Sequence, residues 1–548
     1  MHEYQGKRIF EGYALGRIIV YKNGPSVEKK EGLGPDKEFE RFRKARETTV
    51  RNLEQSYLSA LASLGEEEAQ LFKTHELMAE DLDFEDLVKK SLGQGVTAEY
   101  AVKEAAEELR KMFLAMDDDY MRARGKDVTE VGDRIIGALK DEGDGFALKE
   151  PSIVVCEDLP SSELMKLDKK LLLGLVMTEG STNSHVSILT RMLEIPCICE
   201  LDLDLRNDIK GRFAVLDGSK GKLIVDPTPE VLTSYKKVEE AYRKEKEELR
   251  LFVNKPTLTK DGKKTKIYAN IASSYEVENA IRNDAEGIGL FRSEFIYLES
   301  KDYPGEDEQF EHYKRVVTKM KGKEVIIRTL DIGADKKVSY FNLPKEENPA
   351  LGYRSIRICE DRPEVFLVQL MALYRASAYG HLSIMIPMII SLEEVQFVHM
   401  MCRKAMDNLE KRGMEYDKNV KVGIMVETPA AAIMSDVLAQ NVDFFSIGTN
   451  DLTQYTLAVD RVNPNLGKSF NPHHHAVLRL INYIAGNAHK AGIPVGICGE
   501  LARDEELLPF FLKAGIDELS VSPAYCLSLR KKIADIDTGK VDLHKYLD

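Results

Sequence analysis

Eight apolar runs of strand length, separated by segments of helical periodicity, fill about the last 290 residues of the 548-residue chain and restrict its fold more than any other feature. They are Ile267 to Ala272, Gly287 to Phe291, Val325 to Leu330, Leu382 to Met388, Val420 to Val426, Asp443 to Ile447, Ile493 to Ile497, and Glu518 to Val521. Strands that alternate with helices form parallel sheets, because each crossover helix covers a face of the sheet. Eight of them in this length predict a (β/α)8 TIM barrel, with an open doubly wound sheet as the alternative. Barrel chemistry gathers at the carboxyl ends of the strands. Standing there are Asn270, Arg292, Arg328 with Asp331, Glu427, Asn450 with Asp451, and Cys498 with Glu500.

Four arginines lie at or near these ends, Arg292, Arg328, Arg354 and Arg461, with Lys336 close in sequence. A single arginine at a strand end is commonly a salt-bridge partner. Several together suit a small ligand with several negative charges, since guanidinium reads carboxylate and phosphate bidentately. Glu427 and Asp451 offer hard oxygens to Mg2+, which takes one or two carboxylates and fills its other positions with water and substrate oxygens. Pairing with the nearby arginines is the competing reading. Cys498, close to Gly496 and Gly499, is either inert packing or a functional thiol. The run His473, His474, His475 lacks the spacing of a metal site and reads as a loop.

The first half has another texture. Ile9 to Tyr21 is glycine-punctuated and β-branched, which predicts a short strand pair. Asp36 to about Lys140 is poor in glycine and proline and carries Leu53, Tyr57, Leu61, Leu64 and then Leu71, Leu77, Leu82, Leu87 at helical spacing, a helical block. β texture returns with Ile153 to Cys156 and closes on a hairpin, Phe213 to Gly218 with Lys222 to Pro227. The simplest topology is one α/β domain with a helical subdomain inserted after its first strands. Glu230 to Leu251, dense in Lys and Glu, predicts a linker helix.

Inside that α/β domain, His185 stands where a helix should begin. Small polar residues run up to it, apolar periodicity follows from Val186 to Leu193, and Glu194-Ile195-Pro196 stops the helix. A helix start gathers unpaired N–H groups and partial positive charge, so an imidazole there sits beside a ready site for phosphate. A phosphohistidine fits; so does a partly buried histidine on an ordinary capped helix.

Charge and cysteines narrow the function classes. A formal net charge of -14 argues against a nucleic-acid backbone as partner and leaves room for a basic protein or a metal-neutralised anion. Acidic faces at Glu66 to Glu68 and Glu80 to Asp83 would attract such a protein. Seven cysteines without a CxxC pair indicate a reduced, cytoplasmic setting. No apolar run approaches the roughly 18 residues of a membrane helix, so no membrane insertion is expected.

Together the motifs resemble the phosphoenolpyruvate-utilising enzymes, and among them the enzyme I branch of the bacterial sugar phosphotransferase system. The residues carrying the resemblance are Gly180 to Arg191 around His185, Gly289 to Phe295, Arg328 to Lys336, Glu346 to Arg354, Met385 to Met388, Gly423 to Pro429, Phe445 to Leu452 and Ile497 to Glu500. The resemblance implies a swivelling phosphohistidine α/β domain over residues 1–35 and 141–229, a helical subdomain over 36–140 that docks the phosphocarrier protein HPr, a linker helix over 230–255, and a barrel over 256–548 that binds phosphoenolpyruvate and forms a homodimer. It implies that His185 takes the phosphoryl group of phosphoenolpyruvate, releasing pyruvate, and hands it to a histidine of HPr. Arg292, Arg328, Lys336, Arg354, Asn450 and Arg461 would then bind substrate, Glu427 and Asp451 would hold Mg2+, and Cys498 would protonate the enolate. Thr182 and Asn183, Tyr353 and the 467–472 loop depart from the common pattern. A pyruvate phosphate dikinase would carry a nucleotide-binding domain ahead of the phosphohistidine domain, and only about 150 residues precede Pro151 here, without a glycine-rich phosphate loop.

Overall fold

The computed structural model describes Met1 to Asp548 except residues 22–26, 64–65, 116–118, 141–147, 181–184, 204–208, 334–337, 462, 464–465 and 467–468. It divides into two compact units, Met1–Lys244 and Glu245–Asp548.

The first unit opens with β1 (His2–Gln5), β2 (Lys7–Phe10) and β3 (Tyr13–Val20), and then turns helical: α1 (Pro35–Ser63), α2 (Glu66–Ala79), α3 (Leu82–Leu92), α4 (Ala98–Leu114) and α5 (Asp119–Leu139). The chain resumes with β4 (Ser152–Cys156), α6 (Ser161–Lys166), β5 (Leu172–Met177), α7 (His185–Met192), β6 (Cys197–Cys199), β7 (Phe213–Asp217), β8 (Lys222–Val225) and α8 (Pro229–Arg250). The strands form one sheet in the order β1-β8-β7-β3-β4-β5-β6-β2. Alternation sets its two faces: Val154 and Cys156 enter one core and Ile153 and Val155 the other. The expected hairpin is present as antiparallel β7 and β8.

The expected strand pair is corrected. β2 and β3 both form, but β2 pairs with β6 at one edge while β3 lies between β7 and β4. Gly12, at φ 128, lets the chain leave the edge for the middle of the sheet. β1, polar and mostly exposed, pairs only with β8 and gives no apolar signal to read.

The helical block has its own core, built on Phe42, Leu53, Phe72, Phe84, Val88 and Ile135. The sequence stripe is corrected here too: Leu77 and Leu82 are 63% and 75% exposed, and Phe72, Ala79 and Phe84 are buried instead. Part of the acidic run is a cap, since the Asp81 carboxylate accepts from the N–H groups of Asp83 (2.7 Å) and Phe84 (3.4 Å) at the start of α3. Side chains of residues 59–69, and with them the Glu66 to Glu68 face, lie outside the described residues.

α8 buries none of its side chains. Tyr235 and Tyr242 pack on Tyr13, and the Tyr235 hydroxyl donates to Asp217 (3.0 Å). The division between units falls inside this helix, at Lys244 and Glu245.

All eight predicted strands occur in the second unit: β9 (Lys266–Ile271), β10 (Ile288–Arg292), β11 (Val325–Arg328), β12 (Leu382–Ile386), β13 (Lys421–Val426), β14 (Phe445–Ile447), β15 (Val495–Ile497) and β16 (Glu518–Val521). Each pairs in parallel with the next, and β16 returns to β9 with Leu519 opposite Ile267 and Val521 opposite Ala269. That last ladder closes a barrel and excludes the open sheet. Alternate residues explain both layers: Tyr268, Ile326, Met385, Met425 and Phe444 fill the interior, while Ile267, Ala269, Ile327 and Ile384 face the helices. All seven cysteines are buried and none is in a disulfide. Among the described residues no helix is long and apolar enough to cross a membrane.

Candidate active site at the strand ends

Arg328 ends β11 and is almost wholly buried. Its backbone is fixed from outside: Ser293 donates its hydroxyl to the Arg328 carbonyl (2.6 Å), and Gln369 donates to Ser293 (3.0 Å) while accepting from the Leu330 N–H (2.9 Å). Its guanidinium meets Glu294 and, at 2.9 Å, Asp331. The other Asp331 oxygen takes Arg354 at 3.1 Å and the Ser355 hydroxyl. One buried carboxylate therefore spaces two guanidiniums. Burial by itself would lower the pKa of Arg328, but Asp331, Glu294 and Glu427 outweigh it and push the pKa up, so the charge is permanent. Ser355 holds a left-handed φ of 52° between these arginines, tied by its N–H to the Ile332 carbonyl (2.9 Å).

Glu427 follows β13 and is also buried. It accepts from the Met388 N–H at 2.7 Å, and Met388 reaches it through a left-handed φ of 60°. Gly448 permits the approach, because a Cβ there would come within 2.8 Å of the Glu427 Cβ. Burial first, then the carboxylates of Asp451 and Asp331, push the Glu427 carboxyl up to about 8, against the pull of Arg328. Asp451 lies in the first turn of the helix Thr449–Leu457 and is 3.5 Å from the exposed Arg461. The ion-pair reading thus holds in part for Asp451 and, among the described residues, leaves Glu427 without a hydrogen-bonded cation. Among the described residues no three His, Cys, Asp or Glu side chains converge to hold a metal by themselves. Two mutually repelling carboxylates, Glu427 and Asp451, fit a cation that takes its other ligands from water and substrate, which is the habit of Mg2+.

Cys498, just past β15, is 4% exposed. Its thiol donates to the Ile447 carbonyl (3.8 Å), and its own carbonyl accepts from Asn270 Nδ2 (3.0 Å). Asn270 also donates to the Ser520 carbonyl (3.1 Å) and accepts from the Ser520 hydroxyl (2.6 Å), so its amide is fully used. Burial pushes the thiol up to about 12, with Ser446 and Arg328 pulling the other way. The group is a protonated thiol at neutral pH, able to act as an acid. Gly499 lets this strand end meet the next helix: a Cβ there would lie 2.0 Å from Thr449 Oγ1. Asn450, beside it, accepts from the Glu500 N–H (3.2 Å).

Arg328, Asp331, Arg354, Glu427, Asp451 and Cys498 are thereby connected by bonds or by mutual electrostatic influence. Arg292 ends β10, half-exposed and without an ion pair among the described residues. Lys336 lies outside the described residues. His185 is the first residue of α7, as the sequence predicts, while its side chain and residues 181–184 lie outside the description. The histidine run is not a plain loop: His474 caps the helix His475–Ala491 and His473 pairs with Asp504 at 2.6 Å. Sequence reasoning passed over Glu294, Ser355 and Met388. Glu294 stood two residues after a strand-end arginine inside the Gly289 to Phe295 motif, and Met388 closed the Met385 to Met388 motif, but neither was given a role; nothing marked Ser355, and the roles of Ser355 and Met388 come from backbone conformation.

Comparison with known proteins matches three family models along the chain. Residues 246–538 match the family described as PEP-utilising enzyme, PEP-binding domain; residues 5–124 match its N-terminal family, and residues 148–221 its mobile domain. The chain is 37% identical over 550 residues to the phosphoenolpyruvate-protein phosphotransferase of Priestia megaterium, covering 100% of this chain and 96% of that one. It is 38% identical over 553 residues to the protein of the same name in Bacillus subtilis, at the same coverage. For that of Haemophilus influenzae the identity is 39% over 535 residues, covering 96% and 92%.

Proposed function

Because the chain belongs to the PEP-utilising enzymes, as a phosphoenolpyruvate-protein phosphotransferase of the enzyme I type, we propose that His185 receives the phosphoryl group and that the barrel strand ends are where phosphoenolpyruvate binds. The observation that carries this is the pair of guanidiniums, Arg328 and Arg354, spaced by Asp331 beside the charge-deficient Glu427 and the protonated Cys498. Phosphoryl transfer asks mainly for positioning and for neutralisation of spreading charge. Arg328 and Arg354 supply fixed positive charge in a shielded place, and Arg292 is left open to a ligand. Lys336, Asn450 and Arg461 complete the substrate set in this reading. Glu427 and Asp451 would hold Mg2+, whose part is to neutralise oxygens of phosphate and enolate. Cys498 delivers the proton that turns the enolate into pyruvate.

His185 then passes the group to a histidine of HPr. The five-helix block is the docking site in this proposal, and exposed Leu58, Leu77, Leu82, Met112 and Leu114 give it an apolar surface to present. The barrel unit forms a homodimer, and the enzyme works in the cytoplasm. Labelled phosphoenolpyruvate with Mg2+ is expected to leave acid-labile, base-stable label on the protein, absent from His185→Ala. Label that persists in that variant overturns the assignment.

A further inference from the structure

Ser446 lies in β14 with its side chain 2% exposed, and its hydroxyl has no hydrogen-bond partner. A buried hydroxyl left unpaired is costly and calls for a reason. Register supplies the setting. Ser446 is level with Gly496 on β15, and Ile447 is level with Ile497, so Cys498 stands diagonally above Ser446 on the same inward face. Gly496 puts no side chain of its own between them, and the Glu518 side chain comes within 3.2 Å of where a Cβ at Gly496 would stand. The Cys498 N–H and thiol both donate to the Ile447 carbonyl, at 3.2 and 3.8 Å. In the resting state, therefore, the thiol proton is turned to the backbone, while the Ser446 hydroxyl makes no well-formed hydrogen bond and lies close enough to the sulfur to act on it.

We propose that the Ser446 hydroxyl is held in reserve for the Cys498 thiolate, donating to sulfur once the thiol has given its proton to the enolate. This rests on the reading of Cys498 as the proton donor. In that step the enolate π pair forms a C–H bond with the thiol hydrogen, and the oxygen lone pair forms the ketone. The S–H bond breaks and its pair stays on sulfur. A buried thiolate needs a donor to replace the lost S–H, and the neutral hydroxyl beside it rotates to provide one; sulfur later regains a proton from water. Ser446 favours the thiolate over the thiol, in line with this role, and Arg328 adds its charge. Ser446 is a positioning residue: it acts on the reaction through Cys498.

A double-mutant cycle tests it, read as pyruvate formed per second at saturating phosphoenolpyruvate and Mg2+. Cys498→Ala is expected to slow that step by about 100-fold, a common contribution of a general acid. Ser446→Ala should slow it by about tenfold, one charge-assisted hydrogen bond, with KM for phosphoenolpyruvate little changed. Ser446→Thr, which keeps the hydroxyl, should restore most of the rate. The double variant should be no slower than Cys498→Ala. Because the hydroxyl makes no well-formed hydrogen bond at rest, Ser446→Ala should melt at about the wild-type Tm or above, which separates its effect from damage to the fold. A normal rate in Ser446→Ala, or full additivity in the double variant, overturns the inference while leaving Cys498 as donor. A normal rate in Cys498→Ala overturns the donor assignment itself.

Discussion

Individual residues at the strand ends do more by spacing than by number. Asp331 fixes the interval between Arg328 and Arg354, and Gly448 and Gly499 let Glu427 and the helix beginning at Thr449 close on the same point. Gly499→Ala would drive a methyl into Thr449, including its backbone nitrogen at 2.7 Å, so the strand end must move. We expect kcat to fall by about tenfold or more, since displacement of a positioned group by an ångström is that costly. An unchanged kcat would show that the approach is not needed for turnover. Glu427→Ala should abolish the Mg2+ dependence of phosphoenolpyruvate binding, measured by calorimetry with and without the metal; retained dependence would make the carboxylate structural. The candidate residues themselves were legible in sequence because barrel strands announce their ends. Several of their partners were not: Glu294 acts through an ion pair, and Met388 and Ser355 through left-handed backbone, neither of which leaves a pattern in composition.

At the scale of elements, periodicity was a good guide wherever burial was one-sided or complete. All eight barrel strands are nearly continuous apolar runs, and each appears within a few residues of its predicted place. It failed for β1, whose polar edge carries no alternation, and for α2 and α3, where exposed Leu77 and Leu82 imitate a core stripe. The helical block has a core separate from those of the sheet. Removing residues 36–140 should therefore stop transfer to HPr while sparing label from phosphoenolpyruvate; loss of both would show that the sheet depends on the block to fold. The barrel interior carries a second polar element. Glu518, at the start of β16, has an oxygen shut from solvent without a partner, and burial, then Glu324 and Asp517, push its carboxyl up to about 8 against Lys266. A carboxyl raised in the folded state adds stability below its unfolded pKa near 4.5 and loses it as pH rises through about 8. Glu518→Gln should thus flatten the decline in Tm between pH 5 and pH 9 and stabilise the alkaline protein by about 1–3 kcal/mol, the order set by 1.4 kcal/mol per pKa unit. An equal decline in both proteins would refute the shift.

Across the whole molecule, the chain builds two units with separate cores, Met1–Lys244 and Glu245–Asp548. Produced apart, the second is expected to bind phosphoenolpyruvate with Mg2+, and mixing it with the first should label His185 far more slowly than the intact chain does, because covalent connection supplies a high effective concentration. Equal rates would mean that the connection contributes nothing. The seven cysteines are distributed over both units, and every one is buried. Peroxides and alkylating agents attack the thiolate, so a thiol held near pKa 12 in a closed interior offers them almost nothing. An enzyme that needs its sulfur only as an acid can keep it protonated and out of reach. Such a protein should go on working through an oxidative burst that silences enzymes whose cysteines must be nucleophiles.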